Sequence, residues 1–387
     1  MNPDFHYYAT YCAALLAGYS HEESVAIGYS DRFVDLCTKT LLSKVKAPLS
    51  AATTQLQLEL VDARTDPIGL QDITRIWSSF HFLPYDLYAE PKGRCSKRYK
   101  SKFRLICHPN GDLVAHTVEL AKGKSLQAVG VAMHVLADTW AHSNFAGTPS
   151  LVINNTNYYF YELLPDGNNY QEKKISFRHS TSPDDLEKSL YTASLYSGSE
   201  KSIMNLGHGR AGHFPDYSFI RYKYLPSWGN YEEIIKDNPS DYLHAFCQMI
   251  TAMKYLRGKS DSFACHVYDW EAIAPYREEI ERIIGKRQPD ASDDWKAFGE
   301  RLSGKAIKPF DTDDYQNEYQ SASEAEKDNT ALGRFIIAAL AQKSMVTNQI
   351  YRSGSKLAGI SIDYRKWGFR GDRAFKKLLT AKGENKA

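Results

Sequence analysis

Three ligand-type side chains, His134, Asp138 and His142, stand at every fourth position inside the apolar run LQAVGVAMHVLADTWAHSNF. No other stretch narrows the possible folds as much. A helix turns about 100° per residue, so i, i+4 and i+8 drift by only roughly 80° and share one face. Leu126, Val129, Met133, Leu136, Ala137 and Trp140 form the core-facing stripe beside them. Ionisable groups beside a buried stripe are costly unless something neutralises them, and a divalent metal is the simplest neutraliser. The alternative without metal is an internal hydrogen-bond ladder next to Trp140, in which both imidazoles and the carboxylate must find neutral partners.

A second segment, LGHGRAGHFPDYSF, carries His208, His213 and Asp216 among Gly207, Gly209 and Gly212. The glycines let the backbone turn tightly about a centre, although a solvent-facing turn would use them too. Earlier come His6, Asp35 and His81. Imidazole and carboxylate together suit Zn²⁺, with Mn²⁺ or Fe²⁺ less favoured. The set exceeds what one four-coordinate ion needs, so two or three ions bridged by a central carboxylate such as Asp138 are expected. Asp31 reads differently, as a solvated partner of Arg32 or a nearby lysine. His108, His116, His179, His244 and His266 read as ordinary core histidines with hydrogen-bond partners.

Composition sets limits. Hydrophobic residues at 43% and charged residues at 24% describe an ordinary globular chain with a sizeable core. A formal charge of +2 argues against general attraction to nucleic acid or anionic lipid. Local basic stretches remain at Arg94–Arg104 and Arg365–Lys377. The six cysteines have no C-x-x-C spacing and read as reduced thiols. MNPDFHYYATYC has no basic n-region, and the longest apolar run, Phe335–Ala341, is too short for a bilayer. The expected location is cytoplasmic, or secreted without a cleaved signal. There is no H-E-x-x-H, no P-loop, no G-x-S-x-G elbow and no His-Asp dipeptide.

The pattern along the chain predicts an all-α fold with a loop or β-hairpin insertion around 146–200. Asp4 caps a helix with Phe5, Tyr8, Cys12, Leu15 and Leu16 inward, and Gly18 ends it. Ser20 and Glu23 form a capping box on a second helix running to about Leu42, with Val25, Tyr29, Phe33, Leu36 and Thr40 inward. Helices follow near Leu113–Lys122 and over the His134 run. TNYYFYELLP and KKISFRHS are the hairpin candidates. Helical patterns return at Tyr231–Ile235, Asp241–Leu256, Trp270–Ile284 and Tyr315–Tyr351. This divides the chain into a metal-binding catalytic region, 1–260, and a helical extension, 261–387, packed on it.

The blocks DFHYYATYCAALLAGYS, DRFVDL, SSFHFLPYD, VAMHVLADTWAHSNFAG and LGHGRAGHFPDYSF resemble those of an uncharacterised bacterial family of unknown function, over roughly residues 1–230. Their order is similar to that of the zinc-dependent phospholipase C superfamily, which includes trinuclear-zinc single-strand nucleases. The resemblance implies a helical fold in which His6 is the early His, Asp35 the Asp and His81 the next His. His134 and Asp138 take the H-x-x-x-D helix pair, His142 the further His, and His208 the first of a final His/acid pair. The superfamily also donates an N-terminal amine from a Trp or comparable first residue, whereas this chain begins MNPDFH. Position 212, where the final acid belongs, is Gly, so His213 or Asp216 stands in.

What the resemblance implies is a zinc-dependent phosphoric ester hydrolase, phospholipase C-like, in which a metal-activated water attacks a phosphodiester. Asp35 would orient or deprotonate that water and Arg210 would meet a phosphate oxygen. Tyr158, Tyr159 and Tyr161 would line the entrance. The expected partner is a phospholipid or other phosphodiester, with transient contact at a membrane surface and no stable nucleic-acid binding. Nuclease-like cleavage of single strands and a catalytically silent metal-stabilised scaffold or effector are the alternatives.

Overall fold

The structure is a computed structural model that describes residues 1–56, 58–60, 67–148, 153, 156, 159–167, 169–175, 177–178, 183–192, 207–226, 228 and 232–354. Asp4 accepts the backbone N–H groups of Phe5 and, from far along the chain, Ala291. The helix it starts opens as a π-helical turn, Phe5–Ala9, and continues as α1, Thr10–Ala17, which Gly18 ends at φ 93°. Only a residue without a Cβ sits at that angle without strain.

Ser20 and Glu23 form the expected capping box on α2, His21–Phe33. The helix stops well before Leu42, because turn bonds from Val34, Asp35 and Leu36 close it. Thr38 then caps a separate α3, Lys39–Lys44. The inward residues differ accordingly. Tyr29 and Phe33 are buried as expected, but Thr40 is exposed, while Ser24, Ile27, Gly28, Ser30 and Asp31 are buried. The cause is packing on two sides, against α1 and α7, which leaves no single apolar stripe.

After α4, Pro67–Phe80, α5, Lys97–Phe103, and α6, Asp112–Ala121, comes the His134 helix as α7, Leu126–Ala141. Ser125 caps it by accepting the Ala128 N–H. Buried almost throughout, α7 is the central pillar, with α2, α4 and α6 around it.

The hairpin comes true in part. Strands β1, Phe160–Asp166, and β2, Asn169–Lys174, pair antiparallel. After the short α8, Gly207–Arg210, strands β3, Arg221–Tyr224, and β4, Ile234–Asp237, join them in a four-stranded antiparallel sheet of order β2-β1-β3-β4. The sheet therefore reaches beyond 146–200, and part of the helical pattern at Tyr231–Ile235 is strand β4. Pairing with β3 decides the outcome there, leaving Ile235 exposed at 66%. A separate aromatic core, including Phe145, Phe160, Tyr191, Phe214 and Tyr224, backs the sheet.

The remaining helices are α9, Asn238–Leu256, α10, Trp270–Ile273, α11, Arg277–Gly285, α12, Ser292–Ser303, α13, Thr312–Ser321, and α14, Ala331–Arg352. The Tyr315–Tyr351 pattern is thus two helices, separated where Thr330 caps α14. α9 and α14 both pack on α7, and one hydrophobic core joins side chains from Met1 to Ile350. The fold is mainly helical. All six cysteines are free thiols. Among the described residues no helix is long and apolar enough to cross a membrane.

Two glycines set how closely the central helices approach. A Cβ on Gly28 would lie 2.7 Å from the Tyr7 carbonyl oxygen, and one on Gly130 would lie 2.4 Å from that of Ile27. These contacts let the π-turn, α2 and α7 run nearly backbone to backbone. Gly130→Ala is expected to force α2 and α7 apart and cost roughly 1–3 kcal/mol, as overpacking does. The measurement is the urea unfolding midpoint, and an unshifted midpoint would show that the close approach is not required.

Candidate metal centre

The tight packing of α2 on α7 brings the chemistry together. His134 and Asp138 lie on α7 and His142 caps its C-terminal end. Asp31 lies in α2, and Asp35 in the turn after it. His6 sits in the π-turn, and His81 directly follows α4. His208 lies in α8, and Asp216 follows in the next turns. His6, Asp31 and His134 are fully buried and Asp138 is 1% exposed.

His6, His81, His134 and His142 each have one nitrogen tied to the protein and the other aimed inward. His81 Nε2 donates to the Thr53 carbonyl at 3.0 Å, leaving Nδ1 at 3.0 Å from Asp138 Oδ2. His134 Nδ1 donates to the Asp31 carbonyl at 3.0 Å, leaving Nε2 at 3.2 Å from Asp138 Oδ2. His142 Nδ1 donates to the His81 carbonyl at 2.7 Å and turns Nε2 to Asp216 Oδ1 at 3.3 Å. His6 Nδ1 lies 2.7 Å from Asp31 Oδ1, with Nε2 at 3.2 Å from Asp138 Oδ1. His208 Nε2 faces Asp216 Oδ2 at 3.1 Å. A carbonyl only accepts, so these anchors fix where the protons of His81, His134 and His142 sit.

One contact follows from that assignment. His81 Nδ1 and His134 Nε2 are 3.3 Å apart, and in the neutral rings both present lone pairs. Something positive belongs between them. Two donors on a tetrahedral zinc, each about 2.0 Å from the ion, stand about 3.3 Å apart. His81 Nδ1 and His134 Nε2 stand 3.0 to 3.8 Å from each other and from the nearest Asp138 and Asp35 oxygens, and Asp35, His81 and His134 together have the spacing of a metal set. His142, His208 and Asp216 form a second set of the same kind.

The Met1 nitrogen enters the centre as well. It lies 2.8 Å from Asp138 Oδ1, 3.2 Å from Asp216 Oδ1 and 3.4 Å from His142 Nε2. Burial opposes its charge, yet the Asp138, Asp216 and Asp35 carboxylates push the amine up to about 11. The same balance, burial against the attraction of Asp138 and Asp35, pushes His134 up to about 10. Burial likewise disfavours ionisation of Asp138 and Asp216, but surrounding imidazoles and the amine hold both carboxyls well below their usual range.

Asp31 corrects the reading from sequence. It is no solvated partner of Arg32. Its Oδ1 meets His6 Nδ1 at 2.7 Å and His134 Nδ1 at 3.1 Å, and its Oδ2 accepts from the Thr10 hydroxyl at 2.6 Å. Arg32 pairs instead with Asp35 Oδ2 at 2.8 Å. His6, Asp31 and His134 also have the spacing of a metal set. We read Asp31 as the anchor for two rings, because His134 Nδ1 already donates to its backbone and the inward nitrogens point away from it. The signal in the sequence was one helical turn between Asp31 and Asp35, with Gly28 marking a face too crowded for solvent.

Among the other expected residues, Asp35 Oδ1 lies 3.8 Å from both His81 Nδ1 and His134 Nε2. His213 stands at the rim, 55% exposed, with Nδ1 3.8 Å from Asp216. Arg210 ends α8, and its side chain lies outside the described part, as do Tyr158 and His179. Tyr159 bonds Glu233, and Tyr161 faces Lys223, both at the sheet.

The chain belongs to the family described as "Family of unknown function (DUF6765)", whose model matches residues 1–350. The match extends past the roughly 1–230 that the sequence blocks covered. No curated protein and no solved structure matches the chain.

Two protons must leave if metal binds at these atoms. In the ion-free protein the His134 imidazolium and the Met1 ammonium are favoured by folding. Their stabilisation is complete below the ordinary values of 6.5 and 8.0, and is lost as pH rises through about 10 and 11. Metal affinity should accordingly rise about 100-fold per pH unit between roughly pH 7 and 9. Competition against a chelator of known pH dependence measures this, and a slope under tenfold per unit would exclude those two protons from the site.

Proposed function

We propose that this protein is a zinc-dependent phosphoric ester hydrolase with phospholipase C-like chemistry, acting on a phosphodiester such as a phospholipid head group. The observation that carries this reading is the convergence of the inward nitrogens of His6, His81 and His134 and the Met1 nitrogen on one buried aspartate, Asp138, with His142 and His208 gathered on Asp216, which the same Met1 nitrogen also meets. Asp35, His81 and His134 with Asp138 Oδ2 would hold one ion, and His142, His208 and Asp216 a second. The Met1 nitrogen and His6 with Asp138 Oδ1 would hold a third. The chemistry such ions would supply is a bound water with its pKa lowered toward ~7 and stabilisation of charge on phosphoryl oxygens.

The chain's own part is positioning. Asp138 offers one oxygen to each side and would bridge the ions. Asp35 is a quarter exposed, and Arg32 holds its Oδ2. Its Oδ1 is left at the edge of the first set, where it would orient the attacking water. Arg210 and the half-exposed His213 are the candidates to meet the phosphate at the mouth.

Two exposed leucines, close in the chain to the residue that anchors His81, support a lipid over a nucleic-acid substrate. Leu56 and Leu58 are 46% and 78% exposed on the segment that runs on from Thr53, whose carbonyl holds His81. A nuclease would instead require stacking aromatics beside cations. A silent scaffold would show closed coordination with no position for water.

Two measurements test the proposal. Elemental analysis of the purified protein should find at least two equivalents of zinc, with most of it lost in Asp138→Asn. Full metal content in that variant would reject the bridge. Turnover should appear with a phospholipid or a chromogenic phosphodiester, vanish with a chelator and return with Zn²⁺. Cleavage of single-stranded nucleic acid alone would select the nuclease reading, and no turnover on any of the three would refute the hydrolase.

A further inference from the structure

A cavity of about 480 Å³ opens between α6, α7 and α14. It is separate from the metal centre: α7 reaches it through Ala128, Val131 and Ala132, roughly 10 Å along the helix axis from Asp138. Alanines are the commonest residue in the lining, with Ala121, Ala128, Ala132, Ala338 and Ala341 coming from all three helices. Larger side chains at these positions would close the space, so their small size keeps an apolar slot open between three helices. Its volume lies within the range of small-molecule sites.

The edge of the slot is charged. Lys124 and Arg334 line it, both exposed, and neither forms an ion pair among the described residues. Asp328 lines it too, leaving a net single positive charge. Apolar walls with two unpaired cations at the edge match a molecule with one alkyl chain and an anionic head.

We propose that this slot binds a single-chain anionic amphiphile, its tail along the alanines and its carboxylate or phosphate head between Lys124 and Arg334. Each methylene buried should tighten binding about fourfold, the equivalent of ordinary alkyl transfer. The site does not depend on what the metal centre does.

Calorimetric titration of the zinc-loaded full chain with dodecanoate, dodecyl phosphate and dodecanol, all below micelle formation, is the test. One saturable site is expected, with at least one of the two anions binding tenfold or more tightly than the alcohol. A preference for carboxylate indicates a free fatty acid, and one for phosphate a lysophospholipid-type head. Lys124→Glu and Arg334→Glu, on the surface, should each weaken anion binding about tenfold while dodecanol binding and zinc content stay unchanged. Ala341→Phe, at a half-buried position, should abolish binding of all three. Dodecanol binding as tightly as both anions, or unsaturable titrations, would overturn the proposal. So would pairing of two copies across this face, seen by sedimentation in the wild type and lost in Arg334→Glu.

Discussion

Five imidazoles and four carboxylates share a small volume beside the buried helix α7, and their protons are largely settled from outside. The carbonyls of Thr53, Asp31 and His81 take the outer N–H groups of His81, His134 and His142. What remains inside are lone pairs and negative oxygens. Such a set is tolerable in a low-dielectric interior only if a cation joins it. In the ion-free chain the Met1 ammonium and the His134 imidazolium serve that purpose. Much of the architecture follows from holding these groups in place: glycine contacts that draw α2 to α7, and a buried Asp31 that anchors two rings.

The local parts of this arrangement were legible because they depend on neighbours in the chain. The capping box at Ser20 and Glu23, the stop at Gly18 and the shared face of His134 and Asp138 are all contacts within a few residues. Long-range pairing was not legible. Strand β4 is a strand because β3 supplies its hydrogen bonds, and nothing in its four residues announces that. Asp31 went unrecognised for a related reason: on an isolated helix it belongs beside Arg32, and only the approach of the π-turn and α7 encloses it. The carbonyl acceptors were invisible too, since any residue type can supply one.

The C-terminal half, to which the motifs assigned no role, turns out to brace the donor-bearing segments. Gln342 on α14 donates to the Ser79 carbonyl, two residues before His81. Its neighbour Lys343 donates to the carbonyls of Ser50 and Ala52, next to Thr53. Burial pushes that lysine down to about 8. At the other end Asn2 donates to the Pro289 carbonyl, and Asp4 accepts from Ala291. Both the His81 loop and the start of the chain are therefore held by residues hundreds of positions away in sequence.

The π-turn at Phe5–Ala9 amounts to an α-helix with one extra residue, since Thr10 donates to the Phe5 carbonyl five positions back. Excising any single residue there would relax it to ordinary helix and rotate everything upstream by about 100°. His6 would swing off its carboxylate partners and Met1 would leave with it. Length in this short stretch is therefore as tightly constrained as its buried side chains, Phe5, His6, Tyr7 and Ala9, because the extra residue sets the angle at which the chain's start meets the carboxylates.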